Sequence, residues 1–539
     1  MTSINSSSQD QDFAERANAN QASLRAALKT HYDFIVCGAG SSGSVIARRL
    51  AENPSVQVLL LEAGGDEDVP EVTNPALWPT NLRSDRDWAF QAAPNPHLNG
   101  RSILLSMGKV LGGGSSINAM VWARGHKSDW DFFATEAKDP AWGYENVLAI
   151  YRNIEDWKGP PDPEYRGTGG PMFIQSSPNP SPIASAMLEA AQELGIPSFP
   201  NPNGRMMEGD GGCAYSDSST RDGKRHSVFR AYTYPYMDRP NLTVLTHTVV
   251  TRLLLEQQQV TGVEIMRDGQ TSTLRATSEV ILSLGAIHTP KVLMCSGIGD
   301  QDELRQFSIP VLQHLPGVGR NLQDHVTFGC IWEYKYPISP RNTGSEATMY
   351  WKSHPTLDAP DLMFCQAEFP TRSPATPVLD LPNGGWSMFG GLARPKSRGR
   401  VRLSSSNPLD PVRLEANTLA HTDDIKVALV CAEMARAIGN ARAFMPFVER
   451  EVLPGGKSKS QLEYYIRDSA VSYWHLTCTA KMGHDALSVV DGSLKVHGIR
   501  NLRIADGSIM PRVTTGNTMA PCVIIGERAS QILKKEHCI

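Results

Sequence analysis

Short apolar runs without alternation punctuate the first half of the chain. Asp33-Phe34-Ile35-Val36-Cys37 predicts a buried parallel strand, because a strand covered on both faces has no polar side. It runs into Gly38-Ala39-Gly40-Ser41-Ser42-Gly43 and then into a helix over Ser44–Ala51, bounded by Pro54. A second strand over Val56–Leu61 ends at Glu62. Further strands are predicted at Asn241–Leu255 (one long strand or a pair), Thr261–Met266, Glu279–Leu284 and Asn501–Ala505. Ile183–Leu194 reads as a helix with Gly195 as its C-cap, and Cys522–Ile532 as a final helix. The strand–glycine–helix pattern returns at Gly285–Gly299, which predicts a sheet that re-enters the first domain. From Thr327 to about Ser469 the texture changes. Gly399–Leu403 alternates as antiparallel strands do, and Asp423–Ala437 has a helical period, which predicts a second, substrate-facing domain. Residues 1–30 are polar, with Phe13, Ala17, Leu24 and Leu28 on one face of a possible helix. A docking helix and a disordered arm both fit that pattern. No basic start precedes an apolar core, and Asp10, Asp12 and Glu15 argue against a transit peptide.

The glycine spacing after the first strand carries chemistry. Gly38 permits a tight turn, Gly40 lets the backbone approach a pyrophosphate, and Gly43 lets the helix lie close on the strand. The helix N-terminus offers free N–H groups to phosphates. Glu62, 19 residues after Gly43, is placed to accept hydrogen bonds from ribose hydroxyls. The order strand, turn, helix, strand and acid predicts a dinucleotide site without choosing between NAD and FAD.

Gly108-Lys109-Val110-Leu111-Gly112-Gly113-Gly114-Ser115-Ser116-Ile117-Asn118 is a second glycine-rich stretch. Its backbone is free to wrap a ligand, and its amides suit a phosphate or a polar ring edge. A linker would share this composition, but Trp122-Ala123-Arg124-Gly125 follows at once. Gly317–His325 is a further glycine turn ending in an acid–base pair. His475 sits among aromatic and small residues, and Asn517 lies in a loop before the last helix. Taken alone, the first reads more readily as a core residue and the second as a cap or turn residue.

With 539 residues the chain is long enough for several cores, about three to four domain-sized units. Its formal charge of −4 gives no electrostatic reason to expect nucleic acid. No apolar run reaches the length of a membrane span. Nine scattered cysteines without CxxC read as free thiols in a reducing compartment, so a cytoplasmic location is expected. No HExxH or clustered Cys/His spacing points to a metal.

These separated pieces together resemble the glucose–methanol–choline (GMC) oxidoreductases. The likeness rests on the opening fingerprint, Gly108–Asn118, Gly285–Gly299, Gly317–His325 and the segments around His475 and Asn517. It implies an α/β fold with a discontinuous, Rossmann-like FAD-binding domain. A substrate-binding domain with a mostly antiparallel sheet flanked by helices completes it. The implied FAD-binding segments are 31–172, 216–326 and 471–539, the substrate segments 173–215 and 327–470, with 1–30 as an extension. Gly38, Gly40 and Gly43 would face the pyrophosphate and Glu62 the adenosine ribose. Gly112, Gly113, Ser115, Ser116 and Asn118 would lie along the flavin, Val250 near the adenine, and Asp506, Thr518 and Met519 at the ribityl and ring. Ser42, Ala63, Gly108, Leu111, Ala119, Trp474, Gly507 and Asn517 complete the implied cofactor-binding set.

His475 and Asn517 stand where the family places its catalytic pair. The implied reaction oxidises a primary alcohol to an aldehyde by hydride transfer to flavin N5. His475 takes the hydroxyl proton, as an imidazole of pKa ~6.5 can near neutral pH, and Asn517 orients the oxygen. Two departures matter. Covalent-flavin members carry histidine where this chain has Ile117, which implies noncovalent FAD. Choline-oxidising members carry glutamate where this chain has Thr327, which removes the partner of a trimethylammonium group. Tyr350, Met363, Phe364, Gln366 and Trp474 are candidates to line the substrate pocket, or ordinary core. The partners implied are an alcohol and an electron acceptor, either oxygen or a quinone or dye; a homo-oligomer is compatible. Two other classes use the same scaffold: non-redox enzymes resembling hydroxynitrile lyases or light-driven decarboxylases, and flavoproteins kept for binding alone.

Overall fold

A computed structural model describes residues 3–371, 373 and 379–539; residues 1 and 2 of the N-terminal extension lie outside the described residues. Two large sheets organise the chain. In the first, the central strand His31–Cys37 lies between Val58–Leu61 and Gln270–Leu282, parallel to both. Leu242–Leu245 and Leu502–Ile504 add further parallel pairs, to Val58–Leu61 and Gln270–Leu282 respectively. Every residue of Val58–Leu61, Leu242–Leu245 and Leu502–Ile504 is buried, as expected of strands covered on both faces. Each large apolar side chain so buried contributes about 1.5–3 kcal/mol.

Gln270–Leu282 is longer than the predicted Glu279–Leu284. Its first half is exposed and pairs antiparallel with Gln259–Arg267, which pairs in turn with Thr248–Glu256. That half is polar, so no apolar run marks it. The helix that follows, Gly285–Cys295, contains Pro290, which leaves the carbonyl of Ala286 without its intrahelical donor. The Thr479 hydroxyl donates to that carbonyl at 2.6 Å, tying the segment around His475 to this helix. The last helix, Met519–His537, starts earlier than predicted because Pro521 is tolerated in a first turn.

The second sheet runs Val448–Leu453, Val326–Tyr334, Gly385–Leu392, Leu362–Ala367, Ala347–Trp351, Gly212–Tyr215, antiparallel throughout. Helices Pro182–Glu193 and Thr422–Gly439 pack on it. Val471–Ser472 pairs with Val326–Thr327, so the segment carrying His475 leaves the second sheet before reaching the first. A small sheet of Glu155–Trp157, Met172–Ser176 and Asp217–Ser218 straddles the expected divisions near residues 172 and 215.

The N-terminal extension is a helix, Ser3–Ala26, docked on the edge strand Leu242–Leu245. Ala17 is buried against the core and Phe13 packs edge-on to Tyr234 at 5.3 Å, while polar side chains bond the helix to its neighbours. The Gln21 amide donates to the carbonyls of Met237 and Leu242 at 2.8 Å and accepts from Val244 N–H at 2.9 Å. It occupies the hydrogen-bonding groups of an open sheet edge as another strand would. Arg25 adds a bond to the Val244 carbonyl at 2.8 Å. Gln21→Ala leaves these backbone groups unpaired, at about 1–3 kcal/mol for a buried unsatisfied group. A thermal melt of the protein should show a lower midpoint for Gln21→Ala and no change for Ala22→Ser on the exposed face; equal midpoints would show that the Gln21 bonds contribute nothing.

Candidate active site

A cleft of about 310 Å³ runs from the first glycine turn to the face of the second sheet, within the size range of ligand sites. At one end Gly38 holds a φ of +97°, and a Cβ there would meet the Ser283 carbonyl oxygen at 2.3 Å. The second glycine stretch folds onto this turn. Gly112 N–H donates to the Ala39 carbonyl at 2.8 Å, and a Cβ on Gly113 would lie 2.8 Å from the Gly40 Cα. Two loops far apart in sequence therefore close backbone to backbone, and together they wall the cleft.

Glu62 joins the same corner. Its carboxylate accepts from Ala39 N–H at 3.0 Å and from Gly64 N–H at 2.9 Å. Burial pushes its carboxyl up to about 7 against the pull of those donors. Asp506 accepts from Gly285 N–H and from the Thr289 hydroxyl at 2.9 and 2.7 Å, and from Ser508 N–H at 2.8 Å.

Of the residues expected to hold a cofactor, Gly38, Gly40, Ser42, Glu62 and Ala63 line the cleft at the first turn. Gly108, Gly113, Ser115, Asn118 and Ala119 line it from the second stretch, and Val250, Trp474, Asp506, Gly507, Asn517, Thr518 and Met519 from elsewhere. Gly43, Leu111, Gly112 and Ser116 stand behind the wall. Gly43 abuts the Gly38 carbonyl, Gly112 is tied to Ala39, and Leu111 N–H donates to the Gly65 carbonyl at 3.0 Å. Ser116 donates to the Leu111 carbonyl and to Glu67 at 2.6 and 3.0 Å. Their part is to shape the loops.

His475 and Asn517 meet at the other end of the cleft, with the Asn517 amide nitrogen 3.2 Å from His475 Nε2. The turn carrying the histidine is clamped by Asp324. One of its oxygens accepts from His475 backbone N–H at 2.8 Å, and the other from the Ser472 hydroxyl. Ser472 in turn accepts from Trp474 N–H at 2.7 Å. Trp474 is held at φ +61°, a left-handed conformation that costs a non-glycine residue energy and is found at functional turns. The loop carrying Asn517 is clamped from behind: Thr515 N–H donates to Asp129 at 2.7 Å, and Asp129 pairs with Arg394 at 2.9 Å and Arg512 at 3.3 Å. Burial opposes the charge on Asp129, but the two arginines outweigh it and hold its carboxyl below the ordinary range.

The other ring nitrogen of His475 faces His325, Nδ1 to Nδ1, at 2.8 Å. His325 Nε2 lies 3.1 Å from the Ala393 carbonyl. Burial, and then the neighbouring His325, lower His475 well below the usual imidazole range, and burial takes His325 down to about 4. Both rings are therefore neutral near pH 7.

The candidate pocket wall is corrected by strand alternation. Met363, Cys365 and Ala367 line the cleft, so Phe364 and Gln366 point to the opposite face of the same strand. Gln366 is buried between Glu346 N–H and Glu368. Tyr350 lies behind Gly516, its hydroxyl 2.7 Å from where a Cβ would stand. Sequence reasoning did not single out Trp78, Phe369, Phe389 and Tyr473, which complete the substrate end. Tyr473 stacks on His475 at 5.0 Å and its hydroxyl lies 2.6 Å from Cys365 Sγ. Tyr473, two residues before His475, carried a signal in its spacing; the others come from distant loops and strands and carried none.

The sequence matches the family signatures described as GMC oxidoreductase over residues 32–327 and 395–526. It is 35% identical to the mitochondrial choline dehydrogenase of Mus musculus over 94% of this chain and 90% of that protein. Identity to an alcohol dehydrogenase [acceptor] of Pseudomonas putida is also 35%, over 94% and 96% of the two chains. Among solved structures, pyridoxine 4-oxidase from Mesorbium loti superposes with a TM-score of 0.89 at 31% identity, covering 94% of this chain and 99% of that one. A formate oxidase from Aspergillus oryzae RIB40, studied for FAD modification, superposes at 0.86 with 25% identity over 94% and 99%. With both signatures matched and relatives aligned along nearly its whole length, the chain belongs to the GMC oxidoreductase family.

Proposed function

We propose that this protein oxidises a neutral primary alcohol to an aldehyde, with noncovalently held FAD as the hydride acceptor. The observation that carries the reading is the His475–Asn517 pair, at one end of a cleft whose other end is the glycine turn. The residues fit FAD. A Cβ on Gly40 would meet nothing within 4 Å, so the turn presents bare backbone to the cleft, and Glu62 stands at the strand end beside it. Gly40 and Ser42 would hold the pyrophosphate, Glu62 the ribose, and Asn118, Asp506 and Thr518 the flavin half. When bound, FAD supplies the two-electron acceptor at its N5.

The chain's own residues handle the proton. A hydroxyl meeting both groups donates to the His475 Nε2 lone pair and accepts from the Asn517 amide. As the proton passes to His475 the oxygen gains alkoxide character, which the amide stabilises, and hydride can then leave the carbinol carbon. Tyr473 covers one face of the imidazole and, with Phe369, Phe389 and Met363, excludes water.

Substrate charge follows from the lining. Among the described residues that line the cleft, the carboxylates are Glu62 and Asp506, each already bonded to backbone N–H groups, and there is no lysine or arginine. Thr327 lines the cleft too, but its hydroxyl is committed to the Gly390 carbonyl at 2.9 Å. A quaternary ammonium would be desolvated there without a partner, at a cost. The expected result of an anaerobic alcohol panel is flavin bleaching, with neutral primary alcohols exceeding choline in kcat/KM by more than about tenfold, ~1.4 kcal/mol. A panel led by choline would reverse the charge argument. Bleaching itself separates this reading from lyase-like, decarboxylase-like and binding-only ones, and parallel assays for peroxide and dye reduction identify the acceptor.

Ile117 offers the flavin no nucleophile, so acid precipitation should release the yellow colour into the supernatant. Colour that stays with the pellet would overturn noncovalent binding.

His475→Ala should retain FAD and slow its reduction by alcohol by ~10²–10⁴-fold, the usual worth of a general base. Asn517→Ala should cost less. Because burial lowers His475, its neutral, base-competent form already prevails at pH 6.5. The wild-type reduction rate in anaerobic stopped-flow should therefore be flat from about pH 6.5 upward and fall only in acid. A rate that climbs through pH 7–8 would mean that another group is the base.

A further inference from the structure

His325 lies 150 residues from His475 in sequence and touches neither the cleft nor Asn517. Its surroundings nevertheless determine which nitrogen of His475 carries the proton. A carbonyl oxygen can only accept, so the 3.1 Å contact with Ala393 requires a hydrogen on His325 Nε2. A neutral imidazole carries one N–H, so His325 Nδ1 is then a lone pair. The 2.8 Å contact between the two Nδ1 atoms must have a donor, and His475 supplies it. His475 Nδ1 is thereby protonated and its Nε2 is left as the lone pair, which the Asn517 amide meets at 3.2 Å. Three successive contacts fix one tautomer.

We propose that His325 is a positioning residue: its Nδ1 lone pair, oriented by the Ala393 carbonyl, holds His475 in the tautomer whose Nε2 faces the cleft unprotonated. This rests on the reading of His475 as the base. The same contact supports the charge that follows. When a substrate hydroxyl gives its proton to Nε2, no proton has to leave Nδ1, and the Nδ1–H bond to His325 becomes a charge-assisted one. Other charged and titratable groups stand further back. Asp324 meets the backbone of the His475 turn, Asp129 lies behind His325 with Arg394 and Arg512 on it, and Tyr473 and Cys365 share a hydrogen bond beside His475. No carboxylate hydrogen-bonds to the His475 ring among the described residues.

Two substitutions separate positioning from packing. Asn at 325 can place Oδ1 where Nδ1 stands, because both atoms hang on Cγ, whereas Leu fills the space without an acceptor. Both lose the Nε2–H bond to Ala393, so their difference reads the acceptor alone. In holoenzyme labelled with ¹⁵N-histidine, the His475 signals are those among the 14 histidines that vanish in His475→Gln. The expected wild-type spectrum shows a protonated Nδ1 and an unprotonated Nε2, and His325→Leu should gain the Nε2–H form. Anaerobic flavin reduction should fall on the order of 10²-fold in His325→Leu and stay within about tenfold of wild type in His325→Asn. A protonated Nε2 in the wild type overturns the proposal, and does so even if neither variant folds. His325→Leu keeping both tautomer and rate overturns it, as does His325→Asn reducing as slowly as His325→Leu. If no alcohol bleaches the flavin, the functional reading fails, while the wild-type tautomer still decides this one.

Discussion

The active end of the cleft depends on one carboxylate. Asp324 sits where the glycine turn Gly317–His325 becomes the strand Val326–Tyr334 of the second sheet. It accepts from His475 backbone N–H and from the Ser472 hydroxyl, so it fixes the turn that presents the imidazole. Partial burial raises its carboxyl to about 7 in spite of those donors. The strand after it pairs with Val471–Ser472, so the two histidines are brought together by one local arrangement, not by two independent folds. The opposite wall needs its own anchor, and Asp129 provides it for the Asn517 loop. The 3.2 Å contact across the cleft is thus the gap between two separately clamped loops.

What was legible in the sequence is what local physics writes there. The first strand, its glycine turn and the acid at Glu62 are continuous in the chain and need no tertiary contact to be recognised. His475 and Asn517 could be singled out only through family resemblance, since a histidine among aromatics and an asparagine before a helix have bland readings too. The pocket wall was half legible. Met363 was singled out, but which parity of its strand faces the cleft depends on the neighbouring strands, and Phe364 and Gln366 fell on the other face. The N-terminal helix was legible in part. Its expected apolar face does pack, through Ala17 and Phe13, but hydrogen bonds from Gln21 and Asn20 to backbone carbonyls also hold it. Hydrophobic periodicity carries no trace of such a contact.

The glycine stretches illustrate a related limit. Their spacing reveals a ligand-wrapping loop, but not which residues of the loop touch the ligand. Ser115 lines the cleft while the adjacent Ser116 turns inward to the Leu111 carbonyl and Glu67. Both are buried and both are serine, so composition cannot separate them. The distinction arises from the close approach of Gly113 to Gly40, a contact between segments more than seventy residues apart.

The histidine pair also explains why no carboxylate orients the base. An acid bonded to His475 Nδ1 would fix the same tautomer, as it does in serine hydrolases, but it would raise the imidazole pKa by favouring its charged form. At neutral pH a larger share of the base would then hold a proton before substrate arrived. A neutral imidazole in that place orients with a smaller penalty: His325 accepts a hydrogen bond from Nδ1–H, and His475 stays low, first through burial and then through His325. The nearest balancing charge, Asp129, acts on His325, one ring removed, and is itself tempered by Arg394 and Arg512. The arrangement keeps the resting base neutral, because a neutral acceptor favours the imidazolium less than a carboxylate would.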